Sequence, residues 1–131
     1  MKPKEFIQSW FAYIDANRYE DLEKMLDPSH KFVNPMTPEP AGKEQHLGMI
    51  RMMTSSFSKN KHQLDVIISE GDWVAARGRL TCKHTGEFNG IAPTNRKVEF
   101  SWIDVMHVVN GKLKEEYFEM NPMAIMQQIS N

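Results

Sequence analysis

Asp104 is the residue whose position in the sequence most directly suggests chemistry. It interrupts a row of alternate residues that is otherwise apolar, namely Phe100, Trp102, Met106 and Val108. A carboxylate in such a row is costly unless it is paired, hydrogen-bonded or protonated. Burial raises the pKa of a carboxyl group, which can then donate a hydrogen bond or transfer a proton near neutral pH. The alternative is an Asp near the strand end that accepts a hydrogen bond from Tyr117 or reaches water.

The segment around Asp104, from Val98 to Asn121, predicts a β-hairpin. Asn110-Gly111 is the strongest short signal for its turn, since both types tolerate the positive φ of a type I′ turn. A two-residue turn there places Asp104 opposite Tyr117. One face of the hairpin then holds Phe100, Trp102, Asp104, Met106, Glu115, Tyr117, Glu119 and Asn121. The other face holds Ile103, Val105, His107, Glu116, Phe118 and Met120. A bulge would shift the pairing by one residue and exchange the faces.

The elements that must support this hairpin follow from hydrophobic periodicity. Helices are predicted over Lys4 to Asn17, Tyr19 to Leu26, Gly42 to Phe57 and Pro122 to Ile129. Extended segments are predicted over His30 to Asn34, from His62 onward, and over Trp73 to His84. Helices and strands are segregated along the chain, which indicates an α+β fold. We expect one domain, residues 1–131, with a curved antiparallel sheet covered on one face by helices.

Both faces of the predicted hairpin carry large apolar side chains, which is unusual for a sheet with one solvated face. The few helices can cover only one face, so we expect a second subunit, in a homodimer, on the other. The Asp104 face mixes aromatic groups with acid, phenol and amide groups. Apolar walls with a few polar groups are typical of a small-molecule pocket.

Composition excludes several classes of function. The 16 basic and 17 acidic residues give a net charge of −1, whereas nucleic-acid and anionic-membrane surfaces need a basic excess. A single cysteine, Cys82, excludes an internal disulfide and a cysteine-based zinc site. The five histidines show no ligand spacing, so we expect no metal site. The first residues contain no long apolar run, and we expect a cytoplasmic location.

The stretch HTGEFNGIAPTNRKVEFSWIDVMHVVNGKLKEEYFEMN, His84 to Asn121, resembles the SnoaL-like polyketide cyclases. That family belongs to the nuclear-transport-factor-2-like superfamily, with ketosteroid isomerase and scytalone dehydratase. Y-E-D-L in the second helix, F-V-N-P after it and Gly42-Lys43-Glu44 fit as well, so the resemblance covers nearly the whole chain. It implies a cone-shaped, cystatin-like α+β barrel whose curved sheet wraps on N-terminal helices. It also implies a pocket between helices and sheet, and dimers built on the outer sheet face.

The resemblance assigns roles to four positions. Asp104 matches the strand position where ketosteroid isomerase has a protonated Asp in its oxyanion hole. Asn34 falls at the place of that enzyme's general-base Asp, and Trp10 at the place of its oxyanion-hole Tyr. Because an amide cannot take up a proton and an indole cannot replace a phenol, the isomerase mechanism is not expected. Asn121 replaces the acid/base Asp of the cyclases, and it also suits the N-cap position of a helix starting at Pro122.

These observations predict the function and the site together. The predicted ligand is a small apolar, polycyclic carbonyl compound, and the predicted chemistry is cofactor-free proton transfer in a cyclisation or isomerisation. The alternative is a dimeric binding module of the same fold without catalysis. The predicted catalytic residues are Asp104, with Tyr117 or His107. The predicted pocket residues are Trp10, Ile14, Asn34, Met49, Met53, Phe100, Trp102, Met106, Phe118 and Asn121.

Overall fold

The computed structural model describes residues 1–130, which form helices and one sheet in the segregated order predicted. The helices are α1 (Pro3–Asp15), α2 (Tyr19–Met25), α3 (Lys43–Ser56) and α4 (Pro122–Ile129). The strands are β1 (Leu26–Val33), β2 (Phe57–Glu70), β3 (Trp73–His84), β4 (Lys97–Val109) and β5 (Lys112–Glu119). The α+β prediction is confirmed, and the predicted bounds of β3 and α4 are those observed.

The five strands form one sheet in the order β1-β5-β4-β3-β2. The prediction of an entirely antiparallel sheet is wrong at one edge, where β1 runs parallel to β5. No hairpin links these two strands, because the chain passes through α3 and three other strands between them. The start of β2 was also predicted too late, at His62. Lys59 has a positive φ of 54°, and the pairing with β3 shifts between Ser58 and Lys61, which hides the alternation there.

Helix α1 covers the centre of the inner sheet face and buries the core of the domain. Its buried residues are Phe6, Ile7, Trp10 and Phe11. Phe11 stacks on Trp102 of β4 at 4.5 Å between ring centroids. Trp102 can lie flat because Gly78 is beneath it, where a Cβ atom would stand only 2.5 Å from the indole. None of the helices within residues 1–130 is long and apolar enough to span a membrane.

The β4–β5 hairpin contains a bulge that changes which side chains face the core. The turn at Asn110-Gly111 has the predicted positive φ values of 52° and 74°, and Val108 pairs with Leu113 as predicted. The register then shifts, because His107 pairs with Glu115. The extra residue is Lys114.

The predicted pairing beyond the bulge is therefore wrong by one residue. Asp104 lies opposite Phe118, and Met106 lies opposite Glu116. Glu116 and Phe118 thus share the inner face with Asp104. Tyr117 and Glu115 lie on the outer face.

Candidate functional site

A largely apolar cavity lies between α1, α3 and the inner face of the sheet. Its volume is about 160 Å³, and by the same kind of measure one water needs only about 10–15 Å³. Seven of the ten predicted pocket residues line it: Trp10, Ile14, Asn34, Met49, Met53, Phe100 and Phe118. Further lining residues include Phe11, Phe32, His46, Phe57, His62, Leu80, Cys82, Glu116, Met120 and Ile125. The cavity therefore has apolar walls and only a few polar groups.

Two carboxyl groups are buried together beside this cavity. Asp104 is fully buried and Glu116 is 2% exposed, but only Glu116 lines the cavity. The two side chains are diagonal neighbours on the inner face, on adjacent strands. Three of their oxygens have no hydrogen-bond partner of good geometry among the described residues. These are Oδ1 and Oδ2 of Asp104 and Oε1 of Glu116. Unpartnered carboxylates at such a site are unfavourable, so protonation is favoured.

Burial sets the protonation state of this carboxyl pair. Loss of hydration raises the pKa of Asp104 to about 7, although contacts with Glu116 and the backbone of Val105 act in the opposite direction. Loss of hydration also raises the pKa of Glu116 well above its usual value, and the neighbouring Asp104 raises it further. Titration belongs to the pair rather than to either residue alone. At neutral pH the pair retains at least one proton.

Two buried histidines, His46 and His30, extend the set of buried polar groups beyond Glu116. His46 of α3 places Nε2 3.9 Å from Oε1 of Glu116, and its Nδ1 lies 2.8 Å from Nε2 of His30. The other nitrogen of His30, Nδ1, lies 3.2 Å from the backbone oxygen of Leu113. A carbonyl oxygen only accepts, so His30 carries its proton on Nδ1 and His46 donates from Nδ1. Nε2 of His46 is then an unprotonated acceptor that faces Glu116.

Burial keeps both imidazoles neutral. Desolvation lowers the pKa of His30 to about 4, and it lowers the pKa of His46 well below its usual value, with His30 contributing. Phe32 fixes the ring of His46 by stacking on it at 3.7 Å between centroids. His30, His46 and Glu116 offer ligand-type atoms that all lie within 4.8 Å of one another. The direct hydrogen bond between the two rings uses Nε2 of His30 and Nδ1 of His46.

His62 of strand β2 also reaches the cavity, in addition to His46. Nδ1 of His62 lies 2.6 Å from Oδ1 of Asp15, and the His62 backbone N–H donates to Oδ2 of Asp15 at 2.7 Å. Asp15 is the last residue of α1, so this contact joins the helix to the sheet. The His62 ring lies 4.7 Å from Phe11 and 5.9 Å from Trp102.

The remaining predicted site residues lie outside the cavity lining. His107 and Tyr117 are on the outer sheet face, where His107 stacks on Trp73 at 4.3 Å and Tyr117 donates to Glu115 at 3.0 Å. The bulge at Lys114 is the reason for the position of Tyr117. Trp102 and Met106 are buried beneath the cavity lining.

Two amides that the resemblance placed at acid/base positions have structural contacts. The side chain of Asn121 caps α4 by accepting a hydrogen bond from the N–H of Met123 at 3.0 Å. Asn34 lines the cavity, and its side chain accepts from the N–H of Met36 and donates to Thr37. The predicted N-cap at Asn121 is confirmed.

Sequence reasoning missed the residues that make up most of the polar site. The predicted register puts Glu116 on the opposite face, and the spacing of His30, His46 and His62 along the chain indicates no site. One signal was present in the sequence. Glu115 and Glu116 are consecutive, so one of them had to face inward in either register.

Comparison with known proteins gives the chain a family. The model of the SnoaL-like polyketide cyclases matches residues 4–129. Nogalonic acid methyl ester cyclase from Streptomyces nogalater is 29% identical over 108 residues, which cover 77% of each chain. Aklanonic acid methyl ester cyclase AcmA from Streptomyces galilaeus is 31% identical over 103 residues, which cover 76% of this chain and 70% of AcmA.

Solved structures agree with this assignment at the level of the fold. IdmH from Streptomyces antibioticus superposes with a TM-score of 0.88 at 21% identity, over 100% of both chains. AclR from Streptomyces galilaeus also has a TM-score of 0.88, at 20% identity over 98% of this chain and 95% of AclR. The match to the family model covers nearly the whole chain, including every element that surrounds the cavity. The protein belongs to the SnoaL-like polyketide cyclase family.

Proposed function

We propose that the protein binds a small, largely apolar carbonyl compound in its cavity and catalyses a proton-transfer reaction, a cyclisation or an isomerisation, without a cofactor. The single observation that carries this proposal is the buried pair Asp104 and Glu116 at an apolar cavity. Glu116 is the member of the pair that reaches the ligand space. Asp104 acts through Glu116, because it lies behind the cavity lining.

A protonated Glu116 is a suitable partner for a ligand carbonyl oxygen. When a carbon next to that carbonyl loses a proton, negative charge develops on the oxygen, and a hydrogen-bond donor in a dry site stabilises this charge strongly. Asp104 supports the donor role because its charge raises the pKa of Glu116 and keeps the proton on the pair. This arrangement uses Asp104 as a positioning residue rather than as the group that contacts the ligand.

His46 provides the complementary acceptor. His46 donates from Nδ1 to His30, so the neutral ring has no proton on Nε2. His46 also lines the cavity, as Glu116 does. In the proposed step the C–H bond next to the carbonyl breaks, its electron pair moves toward the carbonyl oxygen, and the proton passes to Nε2 of His46. Glu116 donates to the resulting enolate oxygen. Carbon–carbon bond formation from such an enolate would close a ring.

The relatives indicate the class of ligand. Nogalonic acid methyl ester cyclase and the aklanonic acid methyl ester cyclases are named for ring closure on methyl esters. An enolisable carbonyl compound with a flat apolar body would suit both these names and the aromatic lining of this cavity. The buried free thiol of Cys82 is compatible with a reducing compartment, and we propose that the protein acts in the cytoplasm.

The proposal can be tested with 2-tetralone, a bicyclic ketone with exchangeable protons beside its carbonyl. We expect the wild-type protein to accelerate replacement of these protons by deuterium in D₂O, measured by proton NMR. Glu116→Gln should reduce the rate by roughly 10²–10⁴-fold, the usual contribution of a general acid or base. Glu115→Gln is the matched control, because the neighbouring glutamate faces outward, and it should exchange the ketone at the wild-type rate.

Binding of 2-tetralone by the same proteins shows whether a slower exchange reflects weaker binding or lost catalysis. A thermal-shift titration with the same ketone should give equal shifts for wild type and Glu116→Gln if Glu116 acts mainly in the transition state. Binding without exchange in the wild-type protein would favour the non-catalytic binding module. Neither binding nor exchange would contradict the proposal.

We also propose a homodimer built on the outer face of the sheet. Exposed apolar side chains cluster on this face, with Ile103 50%, Ile68 67% and Val66 49% exposed. The register of β2, β3 and β4 places these three side chains on the same face, next to the half-exposed Trp73. Arg77 lies between Ile103 and Val66 on this face, whereas Ala75 lies between Val105 and Ile68. Exposed apolar side chains grouped on one sheet face are typical of an interaction surface.

Sedimentation velocity tests the dimer. We expect the wild-type protein to sediment as a dimer at micromolar concentration and Ile103→Glu as a folded monomer, because the substitution would bury a charge in the contact. Lys61→Gln, an exposed change on the β2 segment away from this patch, should remain dimeric. A wild-type monomer at these concentrations would contradict the assembly.

A further inference from the structure

His62 and Asp15 form a second polar group of the cavity, separate from the acid pair. The Asp15 carboxylate accepts both the Nδ1–H and the backbone N–H of His62, at 2.6 and 2.7 Å. The side chain of His62 is only 8% exposed and that of Asp15 is 21% exposed. A buried imidazole with both its backbone and its ring held by one carboxylate has a fixed orientation and a fixed tautomer.

The second ring nitrogen of His62, Nε2, is accessible. Because Nδ1–H donates to Asp15, the neutral ring has its lone pair on Nε2. Within residues 1–130, no hydrogen bond joins Nε2 to another residue, and Nε2 is not one of the fully enclosed unpartnered atoms. Since His62 lines the cavity, this nitrogen is available to a ligand.

The sheet places His62 far from Glu116. The strand order puts β2 and β5 three spacings apart, roughly 14 Å across the strands. The register also separates the two residues along the strands, because Glu116 lies in the row of Val74 and His62 in the row of Leu80. The space between them is lined mainly by apolar side chains, among them Phe11, Leu80, Phe100 and Phe118. The cavity therefore has a polar group at each end and an apolar middle.

We propose that His62, oriented by Asp15, binds an acidic hydroxyl group, a phenol or an enol, at the far end of the ligand and accepts its proton. This inference rests on the proposed function and narrows the ligand class to an elongated aromatic or polycyclic compound. Such a compound carries a carbonyl group at one end and an acidic hydroxyl at the other. In the step, the O–H bond breaks, its electron pair stays on oxygen, and an N–H bond forms at Nε2.

Asp15 is a positioning residue in this arrangement. Its carboxylate holds the ring in the tautomer that leaves Nε2 free, and it neutralises the imidazolium formed when Nε2 takes up the proton. In Asp15→Asn the side chain lacks this charge. Nitrogen-15 spectra of histidine-labelled protein should then show a larger fraction of the Nε2–H tautomer of His62, a change that a purely structural link between α1 and β2 would not require.

The binding test compares 2-naphthol with 2-methoxynaphthalene, which has the same rings but no hydroxyl proton. Wild type should bind 2-naphthol roughly tenfold more tightly than the ether, the factor that corresponds to about 1.4 kcal/mol. His62→Gln keeps an amide that can donate to Asp15 but cannot take up a proton, and it should lose this preference. Lys61→Gln, on the adjacent outward position of β2, and Glu116→Gln should both retain the preference.

The outcomes distinguish this inference from the proposed function. If the preference survives in His62→Gln but disappears in Glu116→Gln, the hydroxyl binds at the acid pair, and the inference is overturned while the cavity proposal stands. Naphthol binding should also shift the nitrogen-15 resonance of His62 Nε2, and an unchanged resonance in the bound state would overturn the inference too. A protein that binds neither probe nor 2-tetralone would contradict the cavity proposal itself.

Discussion

Glu115 and Glu116 are consecutive residues on opposite faces of β5, and each has a histidine beside it. On the outer face Glu115 lies 3.4 Å from Nδ1 of His107 and 3.7 Å from Lys31, and it accepts a hydrogen bond from Tyr117. On the inner face Oε1 of Glu116 lies 3.9 Å from His46 and has no hydrogen-bond partner among residues 1–130. The two residue pairs have the same composition but opposite environments.

The comparison shows that dehydration, rather than residue type, creates the candidate site. The outer pair lies beside Lys31 and is open to solvent, since its side chains are each 24% exposed. The inner pair is enclosed, so burial raises the pKa of Glu116 and lowers the pKa of His46. Both inner groups are therefore driven toward their neutral forms, which are the forms that donate and accept protons in the proposed step.

Inserting one alanine between Lys114 and Glu115 should have the largest effect on this difference between the two faces. With a single bulge residue kept, the strand beyond it would shift by one position against β4, which turns Glu115 and Tyr117 inward and Phe118 outward. Because β1 also pairs with β5, the neighbouring strand would be disturbed as well. We expect a loss of more than about 4 kcal/mol in the free energy of unfolding, or no folded protein.

Lys114→Ala is the matched control for the insertion. It keeps the bulge and changes only an exposed side chain, so its free energy of unfolding should stay within about 0.5 kcal/mol of wild type. Urea unfolding followed by circular dichroism measures both variants. An insertion variant as stable as Lys114→Ala would show that the register beyond the bulge does not decide which glutamate faces inward.

Asp104→Asn should change stability by an amount that depends on pH. The pKa of Asp104 is raised to about 7 in the folded protein, so the folded state binds more protons than the unfolded state between about pH 4 and 7. The carboxyl group's contribution is complete below this range and is lost as the pH rises through about 7. Relative to wild type, the variant should therefore gain up to roughly 3–4 kcal/mol between pH 4 and pH 8.

The difference between the two proteins is the quantity to measure, by urea unfolding at several pH values. His30 and His46 have lowered pKa values, which produce the opposite slope, but they are present in both proteins and largely cancel. Glu115→Gln changes an outer carboxyl and serves as the comparison. A constant difference between Asp104→Asn and wild type from pH 4 to pH 8 would contradict a buried, protonated Asp104.

Much of the fold was predictable because it depends on local sequence. The periodicity that places Trp10 inward and the Asn110-Gly111 turn are both readable over a few residues, and so is the capping role of Asn121. The parallel pairing of β1 with β5 was not predictable in this way, since it depends on contacts between distant parts of the chain. The bulge at Lys114 was missed because lysine carries no turn preference that would mark it.

The candidate site was predictable only in part. Asp104 stood out because it interrupts an apolar row, and that local contrast identified the inner face. The partners of Asp104 required tertiary information. His30 and His46 are joined by a hydrogen bond across the interface between a strand and a helix, and the placement of Glu116 depended on a single inserted residue.

Glu115→Gln should have the smallest effect on stability and completes the comparison. The substitution removes one charge from a partly exposed group whose partners are Lys31, His107 and Tyr117. Partly exposed ion pairs contribute about 0.2–1 kcal/mol, and salt screens them. We therefore expect a loss of at most about 1 kcal/mol in urea unfolding at low salt, and a smaller loss in 1 M sodium chloride. A larger loss that persists in salt would mean that the outer pair is enclosed in the native assembly, as a subunit contact on this face would make it.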